Sequence, residues 1–189
     1  MARMSWYEVS RTAIAQATFH TTYTTAKTVI NSSDVVTYPA DFWTIGRVLE
    51  LDVIGAISNI VTTPGTITFN VKFGSVIVFT TGAIQLNATA HTKLPFWLRI
   101  LLTCRAVGSG TSANFIGQGI AMGKMFTNTA GQTDGANTDS LLLVPATAPA
   151  VGTGFDSTAA QQLDFHAGFS ISDAGNGIQI EQYCPTVRN

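Results

Sequence analysis

The stretch Pro64-Gly-Thr-Ile-Thr-Phe-Asn-Val-Lys-Phe-Gly74 indicates the fold class of this chain. Its odd positions from Ile67 to Phe73 are apolar, and its even positions from Thr66 to Lys72 are polar. A period of two is typical of an antiparallel strand with one face buried and the other in water. We therefore expect a strand here, with the glycines at either side marking turns.

Similar strand patterns, separated by turn residues, recur along the chain at 46–55, 75–81, 95–107, 113–122, 163–171 and 177–183. Regularly spaced short strands without long helices are typical of two-sheet proteins. The sequence therefore predicts an all-β fold, an antiparallel β-sandwich or jelly roll of about eight strands. Residues 1–16 are expected to form an arm or a short helix. Residues 17–189 are expected to form one domain with a long polar loop at 127–154, interrupted by a short strand at 141–144.

The composition is unusually poor in charge. Of the 189 residues, 46% are hydrophobic and 11% are charged, whereas about 25% of residues are charged in a typical soluble domain. Either uncharged polar side chains keep the surface soluble, or partner subunits cover much of it, because interface cores are depleted in charge. We favour coverage by partner subunits, and the two explanations can hold together.

Charge and hydropathy argue against two classes of partner. The formal net charge is −1 and the ten basic residues are scattered, whereas a nucleic-acid binder needs a basic patch. No apolar run approaches the ~20 residues that a membrane-spanning helix requires. The first residues lack the apolar core of a signal peptide, so we expect synthesis in a cytoplasm. The sequence predicts neither a nucleic-acid nor a membrane partner.

No motif points to catalysis. The histidines His20, His91 and His166 share no metal-ligand spacing, and neither a Gly-x-Ser-x-Gly elbow nor a phosphate-binding loop is present. Alternation places Glu50 and Asp52 on an outer strand face, where we expect them to be solvated. The sequence predicts no enzyme activity and no catalytic, metal or cofactor site.

The two cysteines, Cys104 and Cys184, lie in predicted strands far apart in the chain. We expect them to act as small buried apolar residues. A disulfide would require their strands to be neighbours, and a reducing cytoplasm disfavours it.

The segment 95–107 is apolar on both faces. Its even positions from Phe96 to Leu102 form one apolar face, and Trp97, Leu101 and Val107 lie on the other. Such a strand lies in the middle of a larger structure or against a partner, and we favour the partner. Trp97 and Leu101 are therefore candidate subunit or capsid contacts. Two aromatic residues of the N-terminal arm, Trp6 and Tyr7, are candidates of the same kind.

Glycine and proline positions carry a resemblance to a known group of proteins. They include Gly46-Arg47, Pro64 to Phe69, Pro95-Phe96-Trp97 and the Gly108-Ser-Gly110 turn, followed by the alternating strands around Leu163 and Ile178. This skeleton, over residues 40–183, resembles jelly-roll virion proteins of tailed bacteriophages, such as head decoration (cement) proteins.

The resemblance implies a virion component on the capsid surface, a homotrimer that binds the major capsid protein and carries no catalytic residue. The alternative is a receptor- or glycan-binding head domain of a tail fibre or baseplate. In that alternative Trp43, Trp97 or Phe155 would serve as sugar platforms.

Overall fold

The computed structural model describes residues 6–60, 63–129, 141–148 and 150–189. The regular structure of these residues consists of one 3₁₀ helix, Ser32–Asp34, and β-strands. In chain order the strands are β1 (Tyr7–Val9), β2 (His20–Thr21), β3 (Lys27–Thr28), β4 (Val36–Tyr38), β5 (Val48–Asn59), β6 (Thr66–Phe73), β7 (Val76–Leu86), β8 (His91–Ala106), β9 (Asn114–Met122), β10 (Phe126–Thr129), β11 (Leu141–Val144), β12 (Ala150–Val151), β13 (Gln161–Phe169) and β14 (Gly177–Arg188).

The strands form two antiparallel sheets. Sheet A has the order β1-β14-β5-β8-β9-β11, with β2 beside β14 and β12 beside β9. Sheet B has the order β10-β7-β6-β13-β3, with β4 also beside β13. The hairpins β6–β7 and β8–β9 each stay within one sheet, whereas most other connections cross between the sheets, including those that follow β5, β7 and β9. The predicted all-β antiparallel sandwich is confirmed.

The core lies between the two sheets and is rich in aromatic rings. The odd positions of β6 from Ile67 to Phe73 are buried, as the alternation predicts. The Phe73 ring centroid lies 5.0 Å from that of Phe155, 5.5 Å from Trp43 and 5.6 Å from Phe115. Aromatic pairs at these separations add to the burial of their large apolar surfaces.

Predicted and observed strands agree best where the alternation is unbroken. The bounds of β6 are those predicted, 66–73. By contrast, β8 begins at His91 and β14 continues to Arg188, both well beyond the predicted segments. Pairing explains these extensions, because β5 runs beside both strands: its Val48 is opposite Arg188 of β14, and its Asn59 is opposite His91 of β8.

The N-terminal segment is extended rather than helical and runs along the free edge of β14. Backbone amides of Ser10, Ala13 and Ala17 donate hydrogen bonds of 2.8–3.0 Å to carbonyls of β14. An uncovered strand edge invites pairing with another chain. Residues 6–17 therefore protect this edge of sheet A.

The segment 127–154 contributes strands to the other edge of sheet A. β11 pairs with the end of β9, and β12 pairs with Ile116 and Gly117. The strand predicted at 141–144 is confirmed as β11. Residues 130–140 and 149 of the predicted loop lie outside the described residues.

Candidate functional site

The outer face of sheet A is the most distinctive surface of the molecule. It comprises the side chains of β14, β5, β8, β9 and β11 that point away from sheet B. Directly opposed residues share a face, and the strand register arranges these side chains in four rows. The rows are Gln182-Ile54-Trp97-Met122-Leu141, Cys184-Asp52-Arg99-Ile120-Leu143, Thr186-Glu50-Leu101-Gln118 and Arg188-Val48-Thr103-Ile116, the last continued by Val151 of β12.

Large apolar side chains on this outer face remain exposed to solvent. Eight of them have exposed fractions between 37% and 56%: Ile54, Trp97, Leu101, Ile120, Met122, Leu141, Leu143 and Val151. On sheet B, the outward positions of β6 from Thr66 to Lys72 are polar instead. A single exposed leucine is ordinary, but a clustered apolar face marks an interaction site.

The strand β9 shows how this face arises. Its inward positions include Gly117 and Gly119, and a Cβ at Gly117 would lie only 2.7 Å from Phe79 Cδ2 on β7 of sheet B. The small residues let the facing sheet approach closely. The larger apolar residues Ile120 and Met122 point outward. β9 thus places its bulky apolar side chains toward solvent.

A charged cluster lies within the same face. Glu50 is only 4% exposed; it accepts a hydrogen bond from Arg99 and forms an ion pair with Arg188 at 3.4 Å. Asp52 accepts a hydrogen bond of 3.0 Å from Trp97 Nε1. The prediction of plain solvation is therefore wrong for Glu50. Alternation alone places the Glu50 carboxylate in solvent. In the structure, Arg99 and Arg188, which are remote from Glu50 in the sequence, cover it.

Three of the four sequence-predicted contact residues share this face. Trp97 and Leu101 lie on β8 and are 40% and 38% exposed. Tyr7 is 66% exposed and pairs with Arg188, which puts it in the last row at the edge of the sheet. Trp6 does not belong to this face, because it is half-buried against the core. The Cζ atom of Arg47 lies 5.3 Å from the centre of the Trp6 ring.

The sequence interpretation missed most of the face. Ile54, Ile120, Met122, Leu141 and Leu143 were not singled out, although two signals were available. The segment 116–122 carries large residues on its even positions and small ones (Gly117, Gly119 and Ala121) on its odd positions, and 141–144 is an uninterrupted apolar run. Both patterns differ from the apolar-in, polar-out alternation of a solvated edge strand.

Two of the proposed sugar platforms are not available as surfaces. Trp43 is 3% exposed and Phe155 is 1% exposed, and both belong to the aromatic core around Phe73. That prediction is wrong, because residues in irregular segments were assumed to lie in exposed loops. Of the three rings, only Trp97 reaches the surface.

A second polar cluster lies on sheet B. Asp164 accepts hydrogen bonds from Thr28 at 2.6 Å and from His166 Nε2 at 3.0 Å. Burial alone would raise the pKa of Asp164, but the hydrogen bonds from His166 and Thr28 hold it below its usual value. His166 is thus paired with a carboxylate rather than free in solvent.

This pairing predicts an acid-sensitive contribution to stability. A carboxyl group whose folded pKa lies below its unfolded value of about 3.9 stabilises the protein above that pH. The contribution disappears as the pH falls through the folded pKa. We expect Asp164→Asn to be less stable than the parent at about pH 7 and to lose less stability on acidification.

Urea unfolding at about pH 7 and about pH 3 measures this difference. Asp41→Asn, at an exposed position, is the control. Equal acid losses in the parent and Asp164→Asn would contradict the assignment.

The cysteines are both free. Cys104 points into the core and Cys184 points to the outer face, so the two thiols lie on opposite sides of sheet A. Burial raises the pKa of the Cys104 thiol, although the nearby Arg47 guanidinium opposes this. A thiol with a raised pKa is a poor nucleophile.

In residues 6–60, 63–129, 141–148 and 150–189, no group of three or more His, Cys, Asp or Glu side chains is arranged to hold a metal ion. The same ranges contain no helix with the length and apolar character to cross a membrane.

Comparisons with known proteins identify no family for this chain. No family model matches it, and no curated protein matches it. One solved structure with similarity is the CBM2 module of the evolved Dit of Lactobacillus casei BL23 phage J-1. The two chains are 11% identical with a TM-score of 0.30, over 80% of this chain and 67% of the other. That similarity is too low to assign a fold family or a function.

Proposed function

We propose that this chain is a structural virion protein, a capsid decoration protein that assembles with copies of itself and binds the major capsid protein. The observation that carries the proposal is the contrast between the two sheets. The outer face of sheet A is apolar and exposed, whereas β6 in sheet B turns polar side chains outward. A sandwich of this kind is suited to docking one sheet on a protein partner.

The size of the face is compatible with such an interface. Five strands about 4.8 Å apart and four rows about 6.8 Å apart cover about 24 by 27 Å, or ~650 Å². Stable protein interfaces bury about 800 Å² on each partner. The face alone provides most of that area, and side chains at its rim such as Tyr7 add to it.

The residue types also suit an interface. Trp97 and Met122 lie in one row, and Arg99 lies in the next. Tryptophan, methionine and arginine are enriched in interface cores, where lysine and glutamate are depleted. The low overall charge, 11% of residues, has a simple explanation if this face is covered in the assembled state.

The proposed mechanism is stabilisation of the capsid by preferential binding. A protein that binds the assembled shell, and not its dissociated subunits, shifts the equilibrium toward the shell. Each bound copy then opposes loss of capsid subunits without any chemical step. No catalytic group is required, and we assign none.

The alternative function is a receptor- or glycan-binding head domain of a tail fibre or baseplate. The same fold would serve it, and exposed Trp97 could contribute to such a surface. Copy number separates the two functions, because a decoration protein covers the capsid whereas a fibre tip is present in few copies.

The test uses particles of the phage whose genome encodes this chain. We expect the purified protein to be a homo-oligomer and to bind expanded empty capsids at many copies per particle, counted by gel densitometry and cryo-electron microscopy. A few copies at the tail, with adsorption to host cells, would favour the alternative. Absence from purified particles would refute both functions.

A further inference from the structure

The outer face of sheet A has a centre line between β5 and β8. The path β1-β14-β5-β8-β9-β11 leaves three strands on each side of that line. On the β14 side, β1 extends the rows, because Tyr7 is opposite Arg188 and Val9 is opposite Thr186. Tyr7 and Val9 are exposed, as are the leucines of β11 that point outward. Exposed apolar side chains therefore lie at both margins of the face.

The rows of this face are complementary to themselves. Two copies of one surface can pack about a two-fold axis that lies in the plane between them. An axis parallel to the strands, over the centre line, keeps each row in place and exchanges β5 with β8 and β14 with β9. It sets Ile54 opposite Trp97, Asp52 opposite Arg99, Cys184 opposite Ile120 and Thr186 opposite Gln118 of the second copy.

The remaining contacts of this arrangement involve long polar side chains. Gln182 comes opposite Met122 of the second copy, and Arg188 comes opposite Ile116. The aliphatic stems of such side chains can cover apolar surface while their polar ends stay in water. Glu50 lies beneath its arginines and is almost fully buried already. The axis parallel to the strands therefore leaves no carboxylate facing another.

Charge distinguishes this axis from the one perpendicular to the strands. The perpendicular axis keeps each strand over itself and reverses the order of the rows, so Asp52 meets Glu50 of the second copy. Two carboxylates in a dehydrated interface repel each other. The parallel axis instead pairs Asp52 with Arg99, whose side chains are 40% and 45% exposed. The charges that remain at the surface thus favour the parallel axis.

The face has the area and the shape that such a pair needs. With β1 included, six strands about 4.8 Å apart and four rows about 6.8 Å apart cover about 29 by 27 Å, or ~780 Å². Stable interfaces bury about 800 Å² on each partner. An axis parallel to the strands also aligns the two sheets, and aligned sheets pack face to face with strand directions within about 30°.

We propose that two copies of this chain pair through the outer faces of sheet A, about a two-fold axis parallel to β5 and β8. The inference rests on the proposed function and names a second copy as the partner at this face. A pair presents two equivalent surfaces to a capsid, so loss of pairing also weakens capsid binding. A pair that is absent from particles would refute decoration alone, and a monomer that decorates capsids would refute pairing alone.

Complementary charges at Cys184 and Ile120 test the arrangement. In Cys184→Lys or Ile120→Glu, each two-fold pair would dehydrate two charges that have no partner. A mixed pair has one lysine–glutamate contact and one parent contact. Within one chain the new lysine lies beside Asp52 and the new glutamate beside Arg99, which favours retention of the fold.

Light scattering after size exclusion measures the association. We expect the parent to be a dimer and each variant alone to associate at least about 100-fold more weakly. An equimolar mixture of the two variants should form dimers with a Kd within about tenfold of the parent value.

Gln118→Lys is the matched control for the mixing experiment. The perpendicular axis would bring Gln118 opposite Ile120 of the second copy, whereas the parallel axis keeps them far apart. A mixture of Gln118→Lys with Ile120→Glu should therefore not recover dimers. Recovery in this mixture, or none with Cys184→Lys, would overturn the arrangement. A parent protein that is monomeric or trimeric at about 100 µM would overturn it as well.

The fluorescence of Trp97 provides a measurement on the parent protein. Trp97 is exposed in a single copy and lies opposite Ile54 in the pair. Acrylamide should quench the parent more strongly as the protein is diluted through its dimer Kd, and Trp97→Phe should lose this dependence on concentration. Quenching that stays the same while light scattering shows the dimer dissociating would contradict the proposed interface.

Discussion

Replacing Ile120 by Lys together with Leu143 by Glu should abolish self-association and capsid binding while the fold is retained. The two residues are directly opposed on β9 and β11 and are 39% and 56% exposed. In the free protein the new charges face water and each other, and opposite charges at such positions do not destabilise a sheet. In an interface they would have to lose their hydration, which costs several kcal/mol. We expect binding to weaken at least about 100-fold.

Light scattering after size exclusion and co-sedimentation with expanded capsids measure the two losses. The matched control is Thr37→Glu with Gln162→Lys, an exposed and directly opposed pair on β4 and β13 of sheet B. It introduces the same charges on the other sheet and should bind normally. If the sheet A variant still assembled and bound capsids like its control, the outer face would not be the docking surface.

Removing both arginines that cover Glu50 should produce the largest loss of stability at a position outside the apolar core. In Arg99→Met with Arg188→Met, the carboxylate of Glu50 stays buried without a cation. Stranding a buried charge costs about 3–5 kcal/mol. Because the two arginine side chains are 45% and 42% exposed, water reaches the pair, and we expect about 2–4 kcal/mol.

Urea unfolding measures the loss, and a third substitution serves as its control. Adding Glu50→Met to the two arginine changes should restore much of the stability, because no uncompensated charge then remains. A loss of less than about 1 kcal/mol in the double variant would show that solvent alone stabilises Glu50. Failure of Glu50→Met to recover stability would assign the loss to packing of the arginine stems instead.

The strands were predictable where one local pattern was unbroken. In β6 the alternation from Thr66 to Phe73 contains no interruption, and its predicted bounds agree with the structure. The second apolar face of β8, with Trp97 and Leu101, was also visible, because faces follow directly from a period of two. These inferences need no knowledge of neighbouring strands.

The environments of single side chains were less predictable. Glu50 is covered by Arg99 and Arg188, which are 49 and 138 positions away along the chain. Trp43 and Phe155 come from irregular segments and meet in the core only because the sheets pack around Phe73. The short strand β1 is defined by its pairing with β14, and β12 is defined by its pairing with β9. Neither is long enough to show a clear alternation of apolar and polar residues.

The sequence by itself determined that this protein is an all-β sandwich and that one of its strands is apolar on both sides. The tertiary structure decided which neighbours share that outer side: Ile54 from β5, Ile120 from β9 and Leu143 from β11. It also placed Arg99 and Arg188 beside the carboxylate of Glu50. The physical reason is that alternation is a local consequence of backbone geometry, whereas register and sheet packing join residues remote in the chain.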